Sequence, residues 1–331
     1  MKKRIAINGF GRIGRSAARI IMQDHKDTLE LVAINDPSPI EHSALLFGYD
    51  SNFGRYPGTV ETKGEDTLVI DGQSVSKFGT RNIEELPWGD LGIDVVLECT
   101  GVFRKAEGAQ KHIDQGAKKV VISAPAKGDG FDTFVIGANC DQITGNETLV
   151  SNASCTTNCL APIAKVLDDE FGIESGLLTT IHSYTTSQPV LDLGGKDLRR
   201  GRAAALNLVP TSTGAAKAVS LVLPKLDGKL NGMAVRVPTP TVSIVDLTIK
   251  VRKSTTVEEV NAAIKRASEK NPHILGYNDK PLVSMDFKQD SRSSIFDADS
   301  TYVMGDLVKV LSWYDNEWGY SCRIVELAEK L

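Results

Sequence analysis

The sequence predicts an α/β protein of two domains, a Rossmann-type doubly wound parallel sheet followed by an α+β domain with a mostly antiparallel sheet. Three observations predict it. At 331 residues the chain exceeds what one hydrophobic core usually serves. Its first third alternates short apolar runs with helical patterns, as a parallel sheet wound by helices requires. Past residue 150, longer runs alternate with period two, clearest in Val245, Leu247, Ile249 and Val251 against Asp246, Thr248 and Lys250. That alternation suits a sheet with one solvated or helix-free face.

In chain order, residues 5–8 read as the first strand, 11–22 as a helix and 29–35 as the second strand, followed by a less regular stretch. The apolar runs 68–70, 93–99, 119–122 and 134–137, separated by polar or helical segments such as 105–115, complete the first sheet. Farther on, Thr255 with Glu258 offers a capping box, and Val260, Ile264 and Ala267 mark one face of a helix ending near Asn271 and Pro272. Residues 183–201 form a polar stretch without periodicity, containing Gly194 and Gly195 and overlapping the basic run 196–202. Loops of this length are usually functional or disordered. The pattern Ile324, Leu327, Ala328, Leu331 marks a last helix whose apolar face returns to the first domain. The expected domains are thus 1–150, completed by a C-terminal helix over 315–331, and a catalytic domain over 151–314.

A 41% hydrophobic fraction supports sizeable cores, and 38 Lys plus Arg against 42 Asp plus Glu leave a net charge of −4. An acidic balance, with one short basic run that lacks interleaved aromatics, gives no mark of a nucleic-acid surface. Cys99, Cys140, Cys155, Cys159 and Cys322 form an odd set without paired spacing, which suits a reducing compartment, the cytoplasm by default. Lys2, Lys3 and Arg4 precede an apolar run that stops at Asn8, so no signal-peptide core is expected there. No apolar run is long enough to span a bilayer.

Gly9, Gly11 and Gly14 follow an apolar strand and open a helix with Ile13, Ala17 and Ile20 on one face, the context that a dinucleotide fingerprint requires. The glycines permit a tight turn and close approach of backbone to a pyrophosphate, and the helix N-terminus offers N–H donors to an anion. Asp36 ends the second strand 22 residues after Gly14, where an acid receives the adenosine ribose hydroxyls and repels a 2′-phosphate. The plainer reading of Asp36 is a strand-end turn, since Asn35, Asp36, Pro37 and Ser38 are good turn residues.

Cys155 stands where a short strand, 148–151, gives way to a helical pattern, and a thiol at a helix N-terminus has a lowered pKa. Its hydroxyl and amide neighbours suit a reactive site, whereas Cys159, one turn later, reads as a buried small hydrophobe. With no histidine nearby, the two cysteines make a poor zinc set, and no metal is expected. His25, His42, His112 and His273 lie in surroundings that suit solvated side chains. His182 follows the strand-like run 176–181 and begins the long loop, a place for a base or for one more solvated ring.

The run 151–159, His182 to Thr185 by number 182–185, the run 210–217, the run 236–240 and the run 313–317 together resemble phosphorylating glyceraldehyde-3-phosphate dehydrogenases over essentially the whole chain. The resemblance implies an NAD-dependent oxidation of glyceraldehyde 3-phosphate, with Cys155 as nucleophile, His182 as base and inorganic phosphate releasing a thioester as 1,3-bisphosphoglycerate. It implies NAD contacts at Arg12, Ile13, Asp36, Arg81, Ser123 and Asn316, the last orienting the nicotinamide amide. It also implies substrate contacts at Ser154, Thr156, Thr185, Arg200, Thr213, Gly214 and Arg236, and a homotetramer. Arginine forks and hydroxyls suit two phosphates. Arg236 lies in an alternating run, 233–237, that turns it away from the apolar face, while Arg200 and Arg202 also fit a solvated basic turn.

The sequence departs from the common family pattern at Ser187, where many relatives carry an aspartate, and at Leu193 and Gly194, which match neither the NAD-preferring nor the NADP-accepting pair. Use of NADP beside NAD therefore stays open. So do two other readings: an erythrose-4-phosphate dehydrogenase, in which water completes the reaction, and a nucleotide-binding interaction protein without turnover. Intact Cys155 and His182 argue against the latter.

Overall fold

The computed structural model describes every residue of the chain except Lys196, so the first position of the basic run 196–202 lies outside the described residues. The chain divides into two compact units, one of residues 1–134, 141–153 and 321–331, the other of 135–140 and 154–320. The break after residue 150 falls three residues later than the sequence pattern places it. The C-terminal segment that groups with the first unit begins at 321 rather than 315.

Among the described residues of the first unit, nine strands form one sheet in the spatial order 132–133, 149–151, 119–122, 95–98, 3–8, 29–35, 73–78, 67–70, 60–63. From 132–133 through 73–78 every neighbouring pair is parallel. This is the doubly wound order, in which the chain reverses direction across the sheet beside its first strand. Two expected strands behave otherwise. Thr67–Ile70 pairs antiparallel with Val60–Lys63 and with Gln73–Phe78, because short turns allow only hairpins there. Residues 134–137 form no strand; the edge strand is Asp132–Thr133, and 135–140 group with the second unit.

A buried polar chain runs through this unit. The Trp88 indole donates to His112 Nδ1 at 2.9 Å, and His112 Nε2 lies 3.1 Å from Glu98 Oε2. Glu98 also accepts from Asn8 Nδ2 at 2.5 Å and from the Thr100 N–H at 2.8 Å. Asn35 in turn donates to Asn8 Oδ1 at 2.7 Å. Indole can only donate, so His112 carries its hydrogen on Nε2, where it completes the carboxylate's donors. Such pairing is what permits a charge to be buried. The sequence reading of His112 as solvated is thereby corrected: the ring is fully buried. At the far end of the chain, Lys3 Nζ donates to the Glu329 carbonyl at 2.6 Å, satisfying the last turn of the helix Trp318–Lys330.

The second unit holds, among the described residues, a seven-stranded sheet in the order 209–212, 230–237, 173–183, 243–251, 307–314, 294–304, 275–278. It is mostly antiparallel, with parallel pairing of 173–183 to 230–237 and of 275–278 to 294–304. The helices Cys155–Phe171 and Val257–Lys270 pack on one side. Leu177, Thr248, Lys309 and Tyr302 are in register across four strands and therefore share the other side. Leu177 is 67% exposed and Tyr302 63%, so that face is open, as the alternation predicted. The helix Val257–Lys270 is capped one residue later than expected. Thr256 accepts from the Glu259 N–H at 3.3 Å, and the Glu259 carboxylate accepts from the Thr256 N–H at 3.2 Å.

Candidate active site

In the first unit, parallel pairing brings the C-terminal ends of successive strands to one edge of the sheet. Ser123, Thr100, Gly9, Asp36 and Arg81 follow five neighbouring strands in that spatial order. Gly9 has φ +92°, and a Cβ there would meet the Thr100 nitrogen at 2.7 Å. A Cβ on Gly14 would overlap the Gly9 carbonyl oxygen at 2.1 Å, so the turn and its helix pack together only as glycines. At Gly11 a Cβ would meet nothing within 4 Å, which leaves open space before the helix Arg12–Asp24. That helix has no side-chain cap and no acid in its first turn, and its N-terminus suits an anion such as a pyrophosphate. The residues therefore fit a dinucleotide.

Arg12 and Ile13 stand half-buried at the start of this helix, and the Arg12 guanidinium pairs with Asp50. Arg81 is exposed. The Ser123 N–H donates to the Glu98 carbonyl at 2.9 Å. Asp36 makes the strand-end turn that the plainer reading expected. Its Oδ1 accepts from the Ser38 N–H at 2.9 Å and from the Ser38 hydroxyl, and its Oδ2 accepts from the Phe10 N–H at 3.1 Å. Burial pushes the Asp36 carboxyl up, but the Ser38 and Phe10 hydrogen bonds and the Lys77 ammonium outweigh it and hold it below its ordinary value. The acid thus ties the glycine turn to the second strand as an ionised group, with acceptor capacity left on Oδ2.

In the second unit, Cys155 opens the helix Cys155–Phe171 behind Ser154, whose hydroxyl caps it by accepting from the Thr157 N–H at 3.1 Å. Ala153, just before, has φ +54°, a strained backbone for a residue with a Cβ. His182 and Arg236 are opposite each other on parallel strands, which puts both side chains on one face. Cys155 Sγ lies 3.4 Å from His182 Nε2, and His182 Nδ1 donates to the Ser183 carbonyl at 2.7 Å. Arg236 Nη1 donates to the same carbonyl at 2.9 Å and reaches Thr185 Oγ1 at 3.4 Å. His182 lies within its strand Ile173–Ser183, not beyond it as the sequence pattern placed it.

Burial first, and then the Arg236 charge, push His182 down to about 3, so its ring is neutral at pH 7 with an Nε2 lone pair toward the thiol. The helix-terminal position predicts a lowered Cys155 pKa, yet the thiol is raised. Burial pushes it up more than Arg236 and the Thr156 hydrogen bonds pull it down. The resting arrangement is a thiol whose proton has a ready acceptor and whose conjugate thiolate has a cation beside it.

Other expected substrate residues divide. Arg200 donates through Nε to Thr211 Oγ1 at 2.7 Å and through Nη2 to the Ser212 carbonyl at 2.9 Å, and its charge is felt at His182 and Arg236. Arg202 instead turns to Asp192 at 3.1 Å. Thr213 and Gly214 lead into the helix Ala215–Val222, which Gly214 caps without a side chain. Thr156 is buried, with Oγ1 2.9 Å from the Tyr314 hydroxyl, so its side chain serves the sulfur rather than an open substrate surface. Tyr314, also 2.7 Å from Thr180 Oγ1, lies in the run 313–317 that carries the resemblance but was assigned no role from the sequence. Glu98 had a local signal, an acid ending an apolar run. Among the described residues no cluster could hold a metal ion, and no helix is long and apolar enough to cross a membrane.

Residues 3–106 match the family model described as the NAD binding domain of glyceraldehyde 3-phosphate dehydrogenase, and residues 154–316 match the model of its C-terminal domain. The chain is 55% identical over 331 residues to the chloroplastic glyceraldehyde-3-phosphate dehydrogenase A of Zea mays, covering 99% of this chain and 82% of that protein. It is 53% identical to glyceraldehyde-3-phosphate dehydrogenase 1 of Kluyveromyces lactis, with 98% of each chain covered. To the glyceraldehyde-3-phosphate dehydrogenase of Zymomonas mobilis it is 51% identical, with 100% and 99% covered. A dinucleotide edge on one sheet, a thiol and imidazole in hydrogen-bond reach on another, and matches that span nearly whole chains agree: this chain belongs to the glyceraldehyde 3-phosphate dehydrogenase family.

Proposed function

We propose that the chain oxidises D-glyceraldehyde 3-phosphate with NAD and inorganic phosphate, giving 1,3-bisphosphoglycerate through a thioester on Cys155. The observation that carries this reading is the 3.4 Å approach of Cys155 Sγ to the neutral Nε2 of His182, with Arg236 anchored on the same strand end. His182 takes the thiol proton as sulfur bonds to the aldehyde carbon, and the proton passes to the former carbonyl oxygen. In the oxidation His182 takes that hydroxyl proton, leaving the acyl group on sulfur; NAD, when bound, supplies the hydride acceptor. A phosphate oxygen then attacks the acyl carbon, the carbon–sulfur bond breaks, and the thiolate is regenerated. Arg236, Arg200, Thr213 and Gly214 are the residues we assign to holding phosphate groups, with the Ser154 segment beside the thiol. Gly9, Gly11, Arg12, Ile13, Gly14, Asp36, Arg81, Ser123 and Asn316 are those we assign to the dinucleotide.

The test follows NADH at saturating aldehyde while phosphate is varied from none upward, with the acyl product identified. Turnover should require phosphate and yield an acyl phosphate. Full-rate turnover without phosphate, yielding a free acid, would reject this reading in favour of the hydrolytic one. We infer a homotetramer as well, supported by the open sheet face and by the exposed apolar side chains Leu191, Leu198, Leu206 and Leu208. A cytoplasmic location is supported by five cysteines without a disulfide among the described residues.

A further inference from the structure

The amide of Asn316 is held by a relay of buried hydrogen bonds. The Ser183 N–H can only donate, and it donates to Ser243 Oγ at 3.1 Å. The Ser243 hydroxyl then directs its own hydrogen to Asn316 Oδ1, 2.8 Å away. The amide oxygen is thereby turned toward Ser243 and the NH2 group away from it. Ser183, Ser243 and Asn316 are all buried, so water does not compete for these contacts. The neighbouring residues are held in parallel fashion. Thr241 Oγ1 donates to Asp315 Oδ1 at 2.8 Å, and the Ser183 hydroxyl donates to the Val242 carbonyl at 2.7 Å. Val242 itself has φ +65°, a costly conformation for a β-branched residue, so the turn that delivers Ser243 is over-determined by its surroundings.

We propose that Ser243 is a positioning residue for the cofactor: it holds the Asn316 amide so that the group offers a donor, and only a donor, to the carboxamide oxygen of a nicotinamide. The inference rests on the reading of the chain as an NAD-dependent dehydrogenase with Asn316 at the cofactor. A flipped amide would present oxygen to oxygen, and an unanchored one would have to be ordered by the ligand itself. Fixing the amide beforehand removes that ordering cost from binding. The side chain of the same serine is hydrogen-bonded to the strand of His182 at the Ser183 N–H. That strand end is also held by its pairing of Ser183 with Val237 and by the Val242 carbonyl, so the thiol and imidazole do not depend on Ser243.

The experiment measures the NAD dissociation constant of the full chain by fluorescence titration without substrate, and the rate of Cys155 alkylation by iodoacetamide. Ser243→Ala should weaken NAD binding about tenfold, the scale of one well-placed hydrogen bond, while alkylation stays within about twofold. Ser243→Thr keeps the hydroxyl and should restore most of the affinity. Asn316→Asp keeps the contact with Ser243 but has no NH2 to offer; it should weaken binding at least as much, and Ser243→Ala added to it should cost little more. Ser243→Cys, which preserves volume, carries the same expectation of weakened binding should the alanine variant not fold. Unchanged affinity in Ser243→Ala, full additivity with Asn316→Asp, or alkylation slowed in parallel would each overturn the proposal, the last by making Ser243 a prop of the His182 strand. A wild-type chain that binds no NAD overturns the functional reading and this inference with it; wild-type binding with unaffected variants overturns this inference alone.

Discussion

Cys155 and Cys159 lie one turn apart on the same helix and differ in everything around the sulfur. Cys159 is fully buried, 3.6 Å from Ser294 Oγ and 3.7 Å from the Ser312 carbonyl, and burial pushes its thiol up to about 12. Cys155 has an imidazole, a guanidinium charge and a helix N-terminus to stabilise its thiolate. We therefore expect Cys155→Ser to lower aldehyde oxidation by on the order of a thousandfold or more, because a serine alkoxide is not accessible at neutral pH. Cys159→Ser should keep most of the activity; NADH formation distinguishes the two. Arg236 pulls the Cys155 thiol down, so Arg236→Ala should move the pH dependence of Cys155 alkylation to higher pH. The same change should cost about 2 to 4 kcal/mol in kcat/KM, with Arg236→Lys between it and wild type, since lysine keeps the charge and loses the fork. An alkylation profile that does not move would show the guanidinium to be electrostatically remote from the sulfur. The glycine turn, Cys155 and His182 were legible because each is a local pattern of a few residues. The Thr156 contact with Tyr314 was not, since its partners are 158 residues apart and only the folded sheet unites them.

At the scale of elements, periodicity located most strands and helices but left their exact ends to backbone geometry. Thr255 with Glu258 and Thr256 with Glu259 both satisfy the capping-box spacing, and the sequence cannot choose between them. The structure chooses the second, because Thr256 is extended at φ −121° and ψ 167° while the helix begins at Val257. Thr256→Ala should accordingly destabilise the chain by about 1 kcal/mol in denaturant unfolding. Thr255→Ala, whose half-buried hydroxyl reaches the Glu259 carboxylate and the Thr256 carbonyl but no backbone N–H of the helix, should cost less than half of that. Equal losses would return the cap to the earlier register. The run 134–137 failed as a strand for a related reason: a short apolar run records burial, which Phe134, Val135 and Ile136 do have, without recording whether a neighbour is available to pair with it.

For the whole molecule, the two-sheet architecture followed from alternation that changes character near residue 150, whereas the proposed association of copies has only an indirect trace in the sequence. Period-two patterning announced a helix-free face, and the register shows that face carrying Leu177 and Tyr302. Thr248 and Lys309 stand between them, so the face is a mixed one of the kind that contacts between copies use. Light scattering should give a particle of four times 35.7 kDa, and Leu177→Lys together with Tyr302→Lys should reduce that mass if this face is one of the contacts. A wild-type protein that remains at the mass of one chain under dilute conditions would remove the tetramer from the reading.

The buried chain from Trp88 through His112 and Glu98 to Asn8 and Asn35 has a consequence of another kind. The hydrogen bonds that link it are all buried within the first unit. The indole hydrogen of Trp88 should therefore trade for deuterium only when that sheet opens as a unit. It is a clock built into the protein, and its slow rate times the rarest excursion of the first unit from its native state.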